Sequence, residues 1–191
     1  MKNEEKIDCI SPNTGASFDQ WSETPISEFR ESLARVSRHS FPDLATVSSR
    51  RAILLEISHL IEVNRDEFEK IIINEVGKTR AEAVAEIDYS KSFLTYVADL
   101  MKSENFLEKI DKERKVLSVP RGVGLLITPF NDPLAGITRK LANCLGSGAG
   151  AVIKPPELGI KTASKLESII KERRFDHLAT FIRTKLKLSL N

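Results

Sequence analysis

Residues 123–154, VGLLITPFNDPLAGITRKLANCLGSGAGAVIK, decide the fold. The stretch opens on Val123 to Thr128, a short continuous apolar run. Such a run fits a strand buried on both faces, as in a parallel sheet. Asn131-Asp132-Pro133 follows, with Asp132 a good N-cap and Pro133 suited to the first helical position. Leu134, Ile137, Leu141 and Leu145 then recur at helical spacing and predict a buried stripe. Gly146-Ser147-Gly148-Ala149-Gly150 ends that helix, and Ala151-Val152-Ile153 predicts a second short buried strand closed by Lys154-Pro155-Pro156. Lys161 to Lys171 predicts another amphipathic helix, with Ala163, Leu166 and Ile169 or Ile170 inward. Strand, helix, strand, helix is the start of a parallel α/β sheet with right-handed connections.

Downstream of that unit a third strand is due near residue 175. Residues 171–191, KERRFDHLATFIRTKLKLSLN, carry instead six Lys/Arg against two Asp/Glu. The alternation of Leu186, Leu188 and Leu190 with Lys185 and Lys187 suits an edge strand, not the buried strand the pattern requires. Residues 173–191 are therefore expected to be a divergent basic tail.

Upstream, Pro12-Asn13-Thr14-Gly15 predicts a tight turn between short extended segments. Helices are predicted over 25–40, 46–64, from an Asp66 N-cap through Asn74, and from Thr79 to about Met101. Phe41-Pro42-Asp43 breaks the first of them. Ile53, Ile57, Leu60 and Ile61 form the stripe of the second. Gly77 is expected to cap the third in the left-handed conformation. Thr79 with Glu82 forms a capping box for the fourth. Residues 104–121 are polar, with a strand-like Val116-Leu117-Ser118-Val119. The fold class is α/β: N-terminal helices over 1–103, a bridging segment over 104–121, and a partial Rossmann-like unit over 122–172.

Composition narrows the function classes. The chain has 191 residues, 41% hydrophobic and 29% charged, with a net charge of +2. That is ordinary globular composition, without the concentrated basic face of a nucleic-acid binder. No apolar run approaches the ~20 residues of a membrane span, and no signal-like core opens the chain, so a cytoplasmic protein is expected. Cys9 and Cys144 cannot build a disulfide framework or a four-ligand zinc site. His39, His59 and His177 lack metal-ligand spacing, so no metal is expected. Cys144 lies late on its helix, where the dipole disfavours a thiolate, and reads as a quiet thiol. The glycine-rich 146–150 loop precedes a strand, whereas phosphate loops open helices.

Two segments carry candidate chemistry, 127–133 and 152–157, each just after the carboxyl end of a strand. In open α/β sheets ligands bind at that end. Asn131 offers amide donors that can stabilise an oxyanion. Lys154 and Glu157, three apart around Pro155-Pro156, can grip a ribose through its hydroxyls. On spacing alone a turn residue and a solvated loop remain the alternatives.

Val119-Pro120-Arg121-Gly122-Val123-Gly124, Ile127 to Leu134, Arg139-Lys140-Leu141, Gly148 and Val152 to Leu158 with Thr162-Ala163 resemble the aldehyde dehydrogenase superfamily. Upstream, Ser11 to Gly15, Arg51 to Leu54, and Glu75-Val76-Gly77-Lys78 with Ala81, Ala83 and Glu86 match the N-terminal helices of that family. The likeness is collinear over roughly residues 8–171. It implies NAD(P)-dependent oxidation of an aldehyde to a carboxylic acid. Asn131 would be the amide that stabilises the thiohemiacetal oxyanion. Lys154 and Glu157 would contact the adenosine ribose, and Ile127, Thr128, Pro129 and Phe130 would line the cofactor cleft. Glu157 would repel a 2′-phosphate, which favours NAD, with NADP as the alternative cofactor. The form ITPFNDPL resembles the branch acting on small polar or anionic aldehydes.

The departures matter as much. Pro156 stands where the family often has a small hydroxyl residue, and residues 104–119 are shorter than the usual bridging hairpin. The nucleophilic Cys, the Glu base and the later glycine motif lie beyond the KPPE segment in the family, and neither Cys9 nor Cys144 aligns with the nucleophile. The transition after Lys171 reads like a frameshift or premature stop. The expectation is an N-terminal dehydrogenase fragment, inactive alone and weak in NAD binding. The rival readings are a non-catalytic binding or scaffold protein, and one half of a split dehydrogenase. A homo-oligomer or a complementing second half would be its partner.

Overall fold

A computed structural model of the chain describes residues 6–102, 108–110, 115–117 and 119–185. Strands β1 (Lys6–Ile10) and β2 (Ser17–Ser22) form an antiparallel hairpin. Four helices follow: α1 (Ile26–Asp43), α2 (Val47–Val63), α3 (Arg65–Val76) and α4 (Arg80–Leu100). A small hairpin pairs β3 (Glu108–Ile110) with β4 (Lys115–Leu117). Then come β5 (Val123–Ile127), α5 (Pro133–Gly146), β6 (Gly150–Lys154), a 3-10 turn over Glu157–Gly159, α6 (Ile160–Glu172) and β7 (Ala179–Phe181).

The α/β class stands, and most helix boundaries lie close to those the sequence predicts. Thr46 caps α2, its hydroxyl accepting from the Ser49 N–H at 3.0 Å. The Thr79–Glu82 capping box is present on α4. Two boundaries move. Helix α1 continues through Pro42 to Asp43 instead of breaking after Ser40. The N-cap of α3 is Asn64, which places Asp66 inside the first turn, where its charge still suits the dipole.

The expected gap after α6 is filled. Strands β5, β6 and β7 form one parallel sheet in that order, with Ala151, Val152 and Ile153 opposite Ala179, Thr180 and Phe181. Leu178, Ala179 and Phe181 are buried, so this part of the basic tail is sheet core. Beyond β7, the Thr24 N–H donates to the Arg183 carbonyl at 2.8 Å and the Arg183 N–H donates to the Thr24 hydroxyl at 2.8 Å. The segment after β2 therefore closes on the chain that leaves β7. Leu186, Leu188 and Leu190 lie outside the described residues.

The main core joins the stripes of α2, α3 and α4 to Leu134, Ile137, Leu141 and Leu145 of α5, and to Leu166, Ile169 and Ile170 of α6. Strand β6 is covered on both faces. Ala151 and Ile153 enter the main core, and α1 packs across β6 and β7. Strand β5 departs from the expectation of burial on both faces: Leu125 is 60% exposed and Ile127 56% exposed. It stands at the edge of the sheet, and α1 packs chiefly on β6 and β7.

Candidate functional site

The turn between β5 and α5 is held from three sides. The Thr128 N–H donates to the Lys154 carbonyl at 3.2 Å, which ties the turn to the end of β6. Lys140 donates its ammonium to the Ile127 carbonyl. The third restraint comes from the helical layer. Glu86 of α4, 5% exposed, accepts the Leu134 and Ala135 N–H groups at 2.8 and 3.0 Å through Oε1. These are among the donors that the first turn of any helix leaves unsatisfied. Asp132 occupies the N-cap position the sequence predicts, yet its side chain makes no cap bond.

The Asp132 carboxylate is used elsewhere. Its Oδ1 accepts from Lys78 Nζ at 2.5 Å, and its Oδ2 accepts from Asn131 Nδ2 at 2.8 Å. Lys78 also donates to Glu86 Oε2 at 2.7 Å. Burial opposes the Lys78 charge, but the bonds to Asp132 and Glu86 outweigh it and hold the ammonium above its ordinary range. Gly77 brings Lys78 to this place. It caps α3 at φ 76°, and a Cβ there would stand 2.9 Å from Pro12 Cγ of the β1–β2 turn. Only glycine accepts both the left-handed backbone and the seated turn.

A cleft of about 650 Å³ opens here, lined by Lys78, Glu82, Glu86, Tyr89, Pro129, Asn131, Asp132 and Arg139, among others. Of the residues singled out from the sequence, Pro129 and Asn131 lie on this cleft. Ile127, Thr128 and Lys154 meet at the carboxyl edge of the sheet, where Ile127 is in register with Lys154. Phe130 is 55% exposed, and Glu157 is exposed at the start of the 3-10 turn. None of Ile127, Thr128, Phe130, Lys154 and Glu157 lines the cleft, so the Asn131 amide and the Lys154–Glu157 pair belong to different surfaces. Sequence reasoning missed that Lys78, Glu86 and Arg139 share the cleft wall with Asn131. The signal was confined to the stretches Glu75–Lys78 with Glu86, and Arg139–Leu141, that carry the family resemblance.

The N-terminus of α6 is treated in the same way. Glu75 of α3 accepts the Lys161 N–H at 2.5 Å, the Thr162 N–H at 2.9 Å and the Thr162 hydroxyl at 2.6 Å. Burial pushes the Glu75 carboxyl upward against these bonds. Both helix N-termini at this edge of the sheet thus already hold an internal carboxylate, and a phosphate would have to displace it.

Neither thiol is activated. Burial, reinforced by the nearby carboxylates of Glu75, Asp19 and Asp8, pushes Cys9 up to about 11. Cys144 is raised by burial too, and its thiol donates to the Gly150 carbonyl at 3.2 Å. Neither lines the cleft. Among the described residues no cluster of metal-ligating side chains forms, and no helix is long and apolar enough to cross a membrane.

The sequence profile described as "Aldehyde dehydrogenase family" matches residues 1–180. Mitochondrial succinate-semialdehyde dehydrogenase of Rattus norvegicus is 34% identical over 152 residues, covering 76% of this chain and 29% of that protein. D-glyceraldehyde dehydrogenase (NADP(+)) of Thermoplasma acidophilum is 32% identical over 155 residues, covering 78% of this chain and 31% of that protein. The chain therefore spans about a third of the length of these relatives. Among solved structures, lactaldehyde dehydrogenase from Escherichia coli superposes with a TM-score of 0.88 at 23% identity, over 97% of this chain and 40% of that one. An aldehyde dehydrogenase from Pseudomonas syringae, in complex with NAD+ and octanal, gives a TM-score of 0.88 at 21% identity over 95% and 38% of the two chains. These two share the fold.

Proposed function

The chain belongs to the aldehyde dehydrogenase family, and from that premise we propose that it carries the oxyanion amide and the adenosine-ribose edge of an NAD-dependent aldehyde oxidation, without completing the reaction alone. The observation that carries this is the placement of the Asn131 amide on the wall of the 650 Å³ cleft. An amide N–H there can stabilise the oxyanion formed when a thiolate attacks an aldehyde carbonyl. The attacking thiolate is the part this chain does not offer. Cys9 and Cys144 are both held as thiols by burial and stand off the cleft.

The substrate class is suggested by the relatives: succinate-semialdehyde dehydrogenases resemble this chain, which favours a small polar aldehyde. Lys78 on the cleft wall is already paired with Asp132 and Glu86, so Arg139 is the cation left to meet an anionic end of the substrate. For the cofactor, Lys154 and Glu157 would hold the ribose hydroxyls, with Glu157 favouring NAD over NADP. Those hydroxyls and the Ile127–Phe130 edge engage only the adenosine half. Because α5 and α6 already hold internal carboxylates, the pyrophosphate gains nothing from them. Binding is therefore expected in the millimolar range, about −4 kcal/mol.

The test is to incubate the purified chain with NAD and succinate semialdehyde, D-glyceraldehyde or lactaldehyde. No NADH above a protein-free control is expected. A rate that disappears in Asn131→Ala would overturn the inactivity, and micromolar NAD affinity by calorimetry would overturn the half-site. The open face of β5 favours one further reading, a complementing second chain. Leu125, Ile127 and Leu158 are each more than half exposed and offer it an apolar surface. Co-expression with the remaining two-thirds of a family member would then restore activity.

A further inference from the structure

We propose that Asp132 is the positioning residue for Asn131, and that Lys78 and Glu86 brace it from the core; the inference rests on the reading of Asn131 as the oxyanion amide. The observation behind it is a division of labour. Asp132 stands at the N-cap of α5 but makes no cap bond, because Glu86 takes the helix donors from 48 and 49 residues away. Both Asp132 oxygens are thereby released, one to Lys78 at 2.5 Å and one to Asn131 at 2.8 Å.

The four side chains form a file from core to cleft. Glu86 has a side-chain exposure of 1%, Lys78 16% and Asp132 49%, and Asn131 at the end is exposed. The buried end is rigid and the outer end would otherwise turn freely. An exposed asparagine amide has a broad, roughly two-fold terminal torsion, so its oxygen and nitrogen exchange places at little cost. A carboxylate only accepts hydrogen bonds. Asp132 therefore selects the arrangement with Nδ2 toward it and Oδ1 away. The amide nitrogen carries two hydrogens. One holds Asp132, and the other remains for an oxyanion in the cleft.

A bare carboxylate at this distance would oppose the negative charge it helps to stabilise. Lys78 answers that, since its ammonium sits on the far oxygen of the same carboxylate. Glu86 in turn keeps Lys78 from swinging out, and the bond between them is short and shielded. Asp132 thus aims the amide while Lys78, shared with Glu86, offsets part of its field.

The experiment is proton–nitrogen NMR of the side-chain amides in the full chain, with Asn131 assigned by its loss in Asn131→Ala. In the wild type, one Asn131 Nδ2 proton is expected downfield of its partner, beyond the separation seen in the urea-denatured chain, and slower to exchange with solvent. In Asp132→Ser, which keeps a good N-cap residue but no carboxylate, the separation falls to the denatured value. In Lys78→Met the separation narrows, and in Lys78→Arg it is retained. A folded Asp132→Ser chain, shown by unchanged backbone signals away from residues 129–135, whose Asn131 protons keep their wild-type positions would overturn the proposal. The readout needs neither NAD nor aldehyde. A failure of positioning is thus seen separately from a failure of the oxyanion reading, which would show as an active complemented enzyme indifferent to Asn131→Ala.

Discussion

Glu86 shows how one buried carboxylate organises a site. It accepts two α5 N–H groups and one ammonium with almost no solvent contact. Replacing it by glutamine keeps the volume and an oxygen for the two N–H groups, but removes the charge and sets an amide donor against the Lys78 ammonium. Breaking a buried pair of this kind costs about 3 kcal/mol. Glu86→Gln is therefore expected to lower the unfolding free energy by that amount in urea denaturation, with most of the loss also seen in Glu86→Ala. The two thiols make a second prediction at this scale. Burial raises both, Cys9 up to about 11, and only the thiolate reacts. At pH 7.5 the native chain should release almost no chromophore from a disulfide reagent in minutes, while two thiols titrate at once in guanidinium. A fast native thiol would reopen the question of a nucleophile within this chain.

At the scale of elements, the helical layer is fastened by charges at its corners. Glu62 at the end of α2 accepts from Arg65 of α3 at 3.1 and 3.0 Å and also pairs with Lys91 of α4. These bonds hold the Glu62 carboxyl down at about 2, against an ordinary value of 4.5. A carboxyl depressed on folding adds stability that is complete above 4.5 and is lost as the pH falls toward 2. The side chain is 44% exposed, so solvent screening limits the gain to about 0.5 kcal/mol. Glu62→Gln should cost that much at pH 7, progressively less as the pH falls from 4.5 through 2, and less in 1 M salt. The open face of β5 predicts a different outcome. Leu125→Lys, on a side chain already 60% exposed, should leave stability within ~0.5 kcal/mol and improve solubility. Ile153→Lys, one strand inward at 0% exposure, should abolish folding.

At the scale of the whole molecule, β7 decides whether the chain holds together. Leu178 is 0% and Phe181 4% exposed, and burying such side chains contributes ~1.5–3 kcal/mol each. Removing residues 173–191 also strips β6 of its second partner and the segment after β2 of its contact at Arg183. The loss approaches the ~5–15 kcal/mol that a typical domain possesses. The deletion is expected to aggregate or to melt without a cooperative transition, whereas the full chain gives one. An equally sharp transition in the deleted chain would mean that β7 adds nothing.

Local pattern carried much of this protein. The helical stripes of α2, α4, α5 and α6, the Thr79–Glu82 box, the Gly77 cap and the alternation of strand and helix were legible because each depends on residues within one or two turns of each other. The placement of Asn131 after a strand and before a helix was legible for the same reason. What tertiary structure alone decided depends on partners far apart in the chain. Leu178–Ile182 is a run of only five residues interrupted by Thr180 and set between Asp176-His177 and Arg183, too short to announce a buried strand, and Ala179–Phe181 becomes one by pairing with β6. Asp132 has the identity of a cap, but the cap came from Glu86, because a buried carboxylate on α4 reaches the same N–H groups and excludes a competitor. Strand β5 has the composition of a buried strand, yet one face is open, since burial depends on where α1 crosses the sheet and not on the apolar run itself.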